Sequence, residues 1–115
     1  MTEEEFRTLV LAFPGAEEGT SYGHPAFKVK GKFFTRLRAE DGSVVLRAGF
    51  DEREMLMEAE PETFHITPHY RNHPAVLARL AGMDRDALHP FLERAWKALS
   101  TRREVAAYEA ARASA

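Results

Sequence analysis

The sequence predicts an α+β fold in which helices cover one face of an antiparallel sheet. Apolar residues first recur with a helical period, the period changes to two between Thr20 and Gly49, and helical periods return after that segment. Consecutive strands joined by short turns pair antiparallel, and helices before and after them cover one face of the sheet. There is no internal repeat or linker, so we expect one domain over residues 1–115.

Composition indicates a compact domain and excludes several classes of functional site. The chain is 44% apolar and 30% charged over 115 residues, which is typical of a compact soluble domain with its own core. It has no cysteine, which excludes disulfides, thiolate metal sites and a cysteine nucleophile. The acidic start argues against a secretion signal, and the lack of a long apolar run argues against a membrane helix. The expected location is therefore the cytoplasm.

The first helix is predicted to begin after Thr2 as N-cap, with Glu5 completing a capping box. The Pro14-Gly15 turn ends it. Apolar residues at helical spacing lie between these two signals, at Phe6, Leu9, Val10 and Phe13.

The first hairpin is predicted to turn over three residues, Lys30-Gly31-Lys32. That register opposes Val29 to Phe33, because a two-residue loop would place an apolar residue opposite a lysine. The apolar face then consists of Phe27, Val29, Phe33, Thr35 and Leu37. A second turn at Glu40-Asp41-Gly42 precedes a strand whose apolar positions are Val44, Leu46 and Ala48.

The second half of the chain is predicted to be mostly helical. Asp51 is expected to cap a second helix, with Glu54 three residues on, and Glu60-Pro61 to stop it. Alternating apolar residues from Val76 to Leu80 predict a further strand. A strong helical stripe then runs from Leu88 to Leu99, with Pro90 near its first turn or bending it, and an alanine-rich helical tail covers 101–115.

Several local patterns resemble the MmcQ/YjbR family of small bacterial proteins over nearly the whole chain. They are the Phe13-Pro14-Gly15 turn, the run from Thr20 to Val29 with Gly31-Lys32-Phe33-Phe34 behind it, the Asp51-capped helix, and Thr67-Pro68-His69-Tyr70 leading to His73. The resemblance implies a double-wing fold, similar to frataxin (CyaY-like) and certain DNA-binding proteins, with a DNA-binding role assigned by analogy of fold. It implies no catalytic residues. Many members carry an aromatic residue where this chain has Pro74.

The first candidate site is a basic hairpin. No acid lies between Glu18 and Glu40, whereas the same segment is rich in lysine and arginine. Its predicted phosphate contacts, with one from the next strand, are Lys28, Lys30, Lys32, Arg36, Arg38 and Arg47. Phe34 is predicted to lie on the same outer face, where it would stack on an unpaired base. Alternatively, these side chains only solvate the sheet and protect its edge.

Histidines and tyrosines form a second candidate site, for a small anionic molecule. Two loops supply hydroxyl, imidazole and guanidinium groups that suit anion binding or general acid–base chemistry. The residues are Tyr22, His24, His69, Tyr70, Arg71 and His73. The alternative is that they hold the loops together by hydrogen bonds. Ser21 has neighbours of the right types for a nucleophile, but there is no nucleophile elbow, so no nucleophile is assigned.

His65, His69 and His73 recur every four residues, the spacing that would align three imidazole ligands for a metal ion along a helix. Pro68 and Pro74 argue against one helix that would align them, and in an extended segment they would be about 13 Å apart. An approach of His24 would be needed to complete a site, so no metal or cofactor is predicted. The N-terminal glutamates, which the comparison with frataxins raises as iron ligands, are explained by helix capping and the helix dipole.

The sequence therefore predicts a cytoplasmic binding protein rather than an enzyme. The leading hypothesis is a module that contacts DNA or RNA phosphates through the basic hairpin, and the alternative is a binding or weakly catalytic domain for a small anionic molecule. No membrane partner is expected, and a monomer is the default oligomeric state.

Overall fold

The structure is a computed structural model that describes residues 1–21 and 24–114, with Ser21 described in its backbone alone. The helices in this part of the chain are α1 (Glu3–Leu11), α2 (Phe50–Ala59), α3 (Arg85–Ala98) and α4 (Arg102–Ala113). The strands are β1 (Ala16–Ser21), β2 (His24–Val29), β3 (Lys32–Arg38), β4 (Ser43–Arg47), β5 (Phe64–His65) and β6 (Ala75–Arg79). Short 3₁₀ turns occupy Pro68–Tyr70 and Leu80–Gly82.

The strands form one sheet in the order β1-β2-β3-β4-β6-β5, and every neighbouring pair is antiparallel. β1 and β5 are therefore its edges. Helices α1 and α3 pack on the sheet, and the predicted α+β class is confirmed. β1 starts at Ala16, earlier than the predicted Thr20, in a polar and glycine-containing stretch that carries no apolar alternation.

The main core lies between the helices and one face of the sheet. Phe6 of α1, Phe27 of β2 and Trp96 of α3 are almost completely buried there. The Trp96 indole donates a hydrogen bond to the Pro14 carbonyl at 2.8 Å, which ties α3 to the turn after α1. The predicted apolar positions Leu37, Val44, Leu46 and Ala48 are all buried in this core.

The other face of the sheet carries a smaller apolar cluster. Val45 and Leu77 are buried there under Tyr70, which belongs to the segment between β5 and β6. That segment contains Pro68 and Pro74 and forms a single 3₁₀ turn, so the prediction that it is not one continuous helix is confirmed.

Helix ends follow local signals in most places. The capping box of Thr2 and Glu5 is present, and α2 stops at Ala59 before Glu60-Pro61, as predicted. The prediction that Asp51 caps α2 is wrong. Gly49 is the N-cap without a side-chain bond, and the helix starts one residue before Asp51, which places this carboxylate in the first turn near the positive end of the helix dipole.

The predicted three-residue turn of the first hairpin is also wrong. Lys30 and Gly31 both have positive φ, 54° and 77°, so they form a two-residue turn of the type I′ class and Val29 pairs with Lys32. A β-bulge then restores the register, because Lys28 pairs with Phe33 but Phe27 pairs with Thr35. Phe34 is the extra residue.

The two-residue turn reverses the predicted places of two neighbouring phenylalanines, because Phe33 now pairs with Lys28 of the outer face, and the bulge after it returns Thr35 to the buried face. Phe33, expected on the apolar face, is 48% exposed, whereas Phe34, expected on the outer face, is 3% exposed and packs edge-to-face on Phe13 at 5.7 Å. A one-residue shift in register moves a side chain to the opposite face of a strand. Phe34 therefore lies where it cannot stack on an exposed base.

Candidate functional site

The candidate site is a cleft where the sheet opens between β3 and β4. Within the described chain, the ladder between these strands joins only Arg36–Arg38 to Ser43–Val45. The start of β3 stays paired with β2, while the end of β4 stays paired with β6 as far as Arg47. The Thr35 hydroxyl donates to the Val45 carbonyl at 2.7 Å where the ladder ends. The two halves of the sheet therefore part at this end.

This cleft has a volume of about 360 Å³, an apolar floor and a polar rim. We define the floor as the buried and half-buried apolar residues of its lining, which are Phe34, Val45, Ala75, Ala95 of α3 and Leu99 just after α3. The lining residues are Phe33, Phe34, Arg36, Val45, Arg47, His69, Tyr70, His73, Pro74, Ala75, Ala95 and Leu99. None of them is an aspartate or glutamate, so the charged side chains that line the cleft are cationic. A pocket of this size falls within the range of small-molecule sites.

Arg36 is the most distinctive group in the cleft. Its side chain is 15% exposed, and its Nη1 donates one long hydrogen bond, 3.5 Å, to the Tyr70 hydroxyl. Nη2 lies 4.0 Å from a Glu40 carboxylate oxygen, and Nε is buried without a hydrogen-bond partner in the described chain. A guanidinium has five N–H donors. Most of those on Arg36 have no partner in the described chain, and for the buried Nε–H this is unfavourable.

A buried arginine from α2 holds the histidine–tyrosine segment in place. The Nη1 atom of Arg53 lies 3.0, 2.9 and 3.3 Å from the carbonyl oxygens of Tyr70, His73 and Ala75, and Nη2 donates to the Arg71 carbonyl at 3.0 Å. Arg53 is 4% exposed. This role of Arg53 is not predictable from the sequence, because an isolated arginine in an acidic helix is typical of a solvent-facing side chain.

The predicted small-molecule residues are brought together in part. His69, Tyr70 and His73 line the cleft, and the rings of the two histidines stack with centroids 5.5 Å apart. Arg71 does not line it, since its side chain is exposed and its carbonyl accepts from Arg53. His24 lines a neighbouring cavity of about 550 Å³, with Nδ1 3.8 Å from Glu40. Tyr22 lies outside the described residues.

The predicted basic hairpin is interrupted by carboxylates. Lys30 pairs with Glu104 of α4. Arg38 lies 3.6 Å from Glu40 and 3.8 Å from Asp41, and Arg36 lies near the same glutamate. The remaining predicted cations are Lys28, Lys32 and Arg47, which are exposed and form no ion pair with the described acids. Lys28 nevertheless pairs across the strands with Glu17 of β1.

Two of these carboxylates have perturbed acidity. Partial burial alone would raise the pKa of Asp41, but hydrogen bonds involving His65 and Ser43, together with the nearby Arg38, hold it below the ordinary value. The pKa of Glu104 is lowered to about 2, chiefly by its hydrogen bond from Lys30 and also by the Thr101 backbone N–H of the capping box. Both acids are therefore anionic at neutral pH. Glu104 offsets the charge of Lys30, and Asp41 offsets that of Arg38.

The histidines do not converge on one point. His65 turns to Asp41, with 3.1 Å between Nε2 and the carboxylate, while His69 and His73 lie at the cleft and His24 faces Glu40. Among residues 1–21 and 24–114, no group of three His, Asp or Glu side chains is arranged to hold a metal ion. The described part of the chain also contains no helix with the length and apolar character needed to cross a membrane.

The fold and the cleft define a small α+β domain with a cationic, aromatic-lined depression at a split in its sheet. The chain belongs to the YjbR family, whose model matches residues 11–98. It is similar to the Deinococcus radiodurans protein DR2400, described by its domain DUF419, at 19% identity and a TM-score of 0.72. That similarity covers 90% of this chain and 84% of that one, and at this identity it shows the fold alone. No curated protein matches the chain.

Proposed function

We propose that this protein is a binding domain for a small anionic molecule held in the cleft between β3 and β4. The observation that carries the proposal is Arg36, a largely buried guanidinium at the cleft whose donors are mostly unused. A bound anion would accept charge-assisted hydrogen bonds from this guanidinium, and so give partners to donors that have none in the described chain. Arg47 adds a second positive charge at the rim, and His69 and His73 add ring N–H donors.

Titration with simple anions tests this proposal. We expect inorganic phosphate and hexanoate to bind the full chain and to shift NMR signals of the cleft residues. Arg36→Met should weaken binding at least tenfold, since a charge-assisted hydrogen bond contributes about 1.5–3 kcal/mol. Arg38→Met is the matched control, because Arg38 is equally buried and its Nε also has no hydrogen-bond partner in the described chain, but it lines the neighbouring cavity and not the cleft. It should change affinity less than threefold. Binding that is unaffected by Arg36→Met, or no binding of either anion, would contradict the proposal.

A second candidate function is contact with single-stranded nucleic acid through the first hairpin. The observation that favours it is the exposed Phe33, which follows Lys32 and pairs across the strands with Lys28. An exposed aromatic ring beside lysines is the usual combination for stacking an unpaired base near its phosphates. Phe33 is thus the exposed ring on the outer face, the position predicted from sequence for Phe34.

Salt dependence tests the nucleic-acid function. With three free cations, Lys28, Lys32 and Arg47, the log–log slope of affinity against salt should be roughly −2 for a single strand. Lys32→Ala should flatten the slope by about 0.7, whereas Lys30→Ala should leave it unchanged, because Lys30 is already paired with Glu104. No binding at low salt, or equal effects of the two lysines, would argue against this function.

A further inference from the structure

We propose that the ligand of the cleft is an apolar monocarboxylate. Its carboxylate would lie at Arg36, and its alkyl or aryl body would lie on the apolar floor of the cleft, a space that we call the slot. This inference rests on the proposed anion-binding function and deepens it by assigning the part of the ligand that is not charged. It comes from the distribution of polar groups in the cleft, which differs between the rim and the floor.

The floor of the cleft has no side chain that forms hydrogen bonds. It is built from Phe34, Val45, Ala75, Ala95 and Leu99. A nucleobase or a sugar placed there would leave its N–H, O–H and carbonyl groups without partners, which is unfavourable by several kcal/mol in total. An alkyl chain or a phenyl ring has no such groups and gains from leaving water.

Backbone carbonyls along the cleft are also occupied. The Val45 carbonyl accepts from the Thr35 hydroxyl at 2.7 Å, and the Ala75 carbonyl lies 3.3 Å from Arg53 Nη1. The Arg47 carbonyl accepts from Arg94 at 3.4 Å. The cleft walls therefore have reduced acceptor capacity for a ligand that donates hydrogen bonds, because each of these three carbonyls already accepts one. What they offer are donors at the rim and apolar surface below, which matches a carboxylate on an apolar body.

The shape of the slot favours a small body. A volume of about 360 Å³ is near the lower end of the range for small-molecule sites. The planar guanidinium of Arg36 matches a carboxylate with two parallel hydrogen bonds. A phosphate group also fits a guanidinium, so the two head groups must be distinguished by what is attached to them.

A series of straight-chain carboxylates tests the inference on the unmodified full chain. Calorimetric or NMR titration with acetate, butanoate, hexanoate and octanoate should give affinities that rise about fourfold for each added methylene until the slot is filled. Hexanamide, which keeps the body but lacks the charge, should bind at least tenfold more weakly than hexanoate. Inorganic phosphate and adenosine monophosphate serve as the competing head group and competing body.

The outcomes separate this inference from the proposed function. If phosphate binds through Arg36 but affinity is flat along the carboxylate series, or if adenosine monophosphate binds more tightly than octanoate, the cleft binds anions and the assignment of an apolar body is wrong. If no anion binds through Arg36, both proposals fail. Hexanamide that binds as well as hexanoate would show an apolar site without a role for the charge, and would also overturn the inference.

Filling the slot gives a second test. Ala95→Leu adds bulk to the floor and should abolish the dependence on chain length while leaving acetate affinity within threefold. Ala98→Leu is the matched control, because Ala98 is an exposed residue of the same helix outside the cleft. Circular dichroism checks that both variants fold. A chain-length dependence that survives in folded Ala95→Leu would place the apolar body elsewhere, and if Ala95→Leu does not fold, the wild-type series decides.

Discussion

At the scale of single residues, Arg53 determines where three groups of the cleft lie. His69, Tyr70 and His73 belong to a segment with little regular structure, and such segments usually vary in conformation. Here one buried guanidinium gathers the carbonyls of this segment, so its side chains are presented by a backbone attached to α2. A charged donor with several acceptors is stabilising as long as all of them remain in place.

Replacing Arg53 should therefore destabilise the protein strongly. Arg53→Met removes the guanidinium from four carbonyl oxygens, of which those of Tyr70 and His73 keep a backbone N–H donor, and we expect the free energy of unfolding to fall by about 3 kcal/mol. Urea denaturation at neutral pH measures it. Arg94→Met makes the same chemical change at an exposed pair with Glu52, and should cost less than about 1 kcal/mol. Equal losses in the two variants would show that Arg53 does not hold the segment.

The residue scale also shows where prediction from sequence fails. Thr35 and Leu37 were placed correctly on the buried face, but Phe33 and Phe34 were exchanged. The two-residue turn shifts the register by one residue, which exchanges the phenylalanines, and the bulge shifts it back before Thr35. A bulge inserts one residue without leaving a composition signal of its own. Arg53 was missed for a related reason, since its acceptors lie 17–22 residues away along the chain.

At the scale of elements, the first hairpin is attached to the last helix. Lys30 at the turn pairs with Glu104, which also closes the capping box of α4 by accepting from the Thr101 N–H at 2.8 Å. One carboxylate thus serves both the start of a helix and a contact between distant elements. Capping boxes were predicted well from sequence because they depend on residues three apart, whereas the lysine pair depends on tertiary packing.

This shared carboxylate predicts acid sensitivity. The pKa of Glu104 is about 2 in the folded protein against an ordinary 4.5, so the unfolded state binds more protons between these pH values. The stabilisation from Glu104 is fully present above about pH 4.5 and is lost as the pH falls toward 2. Glu104→Gln should therefore be less stable than the wild type at pH 7, with a difference that shrinks as the pH falls through this window.

Urea midpoints measured between pH 7 and pH 2.5 test this expectation. Glu54→Gln serves as the control, because Glu54 is exposed and forms no ion pair with the described residues. A difference between wild type and Glu104→Gln that stays constant down to pH 2.5 would mean that the folded protein does not hold this carboxylate ionised.

At the scale of the whole molecule, α4 lies beyond the residues that match the family model. It has no fully buried residue, but Tyr108 packs on Trp96 with ring centroids 4.7 Å apart and donates to Glu93 at 2.8 Å. Partial burial, together with Glu93, raises the pKa of Tyr108 above its ordinary value. The buried residues of the main core all precede α4 in the chain, so this helix packs against the core without adding a buried residue to it.

Removing α4 should leave the fold intact but less stable. A chain ending at Ser100 loses the contacts of Val105 and Tyr108, and we expect a loss of about 3 kcal/mol in unfolding free energy. Trp96 is the only tryptophan, so its emission should move to longer wavelength as it becomes exposed. Deleting residues 114–115 alone is the control. An unchanged emission, or a truncated chain that does not fold, would contradict this division of roles.

The architecture was predictable from sequence to a greater extent than the site. Periodicity and capping identified the helices and most strands, because these signals are local. The cleft depends on where β3 separates from β4, which follows from the bulge and from pairing partners far apart in the chain. His69, Tyr70 and His73 were chosen by residue type and do meet at the cleft, but their neighbours on its floor could only come from the folded chain.

The two edges of the sheet have a consequence for how copies of this protein meet. β1 carries Glu17 and Glu18, and β5 is only two residues long. Glu18 is paired with Arg7, so it is Glu17 that a strand added to β1 from a second copy would place beside another negative charge, and β5 is too short to template a ladder. We therefore expect growth of the sheet from one molecule into the next to be unfavourable at both edges.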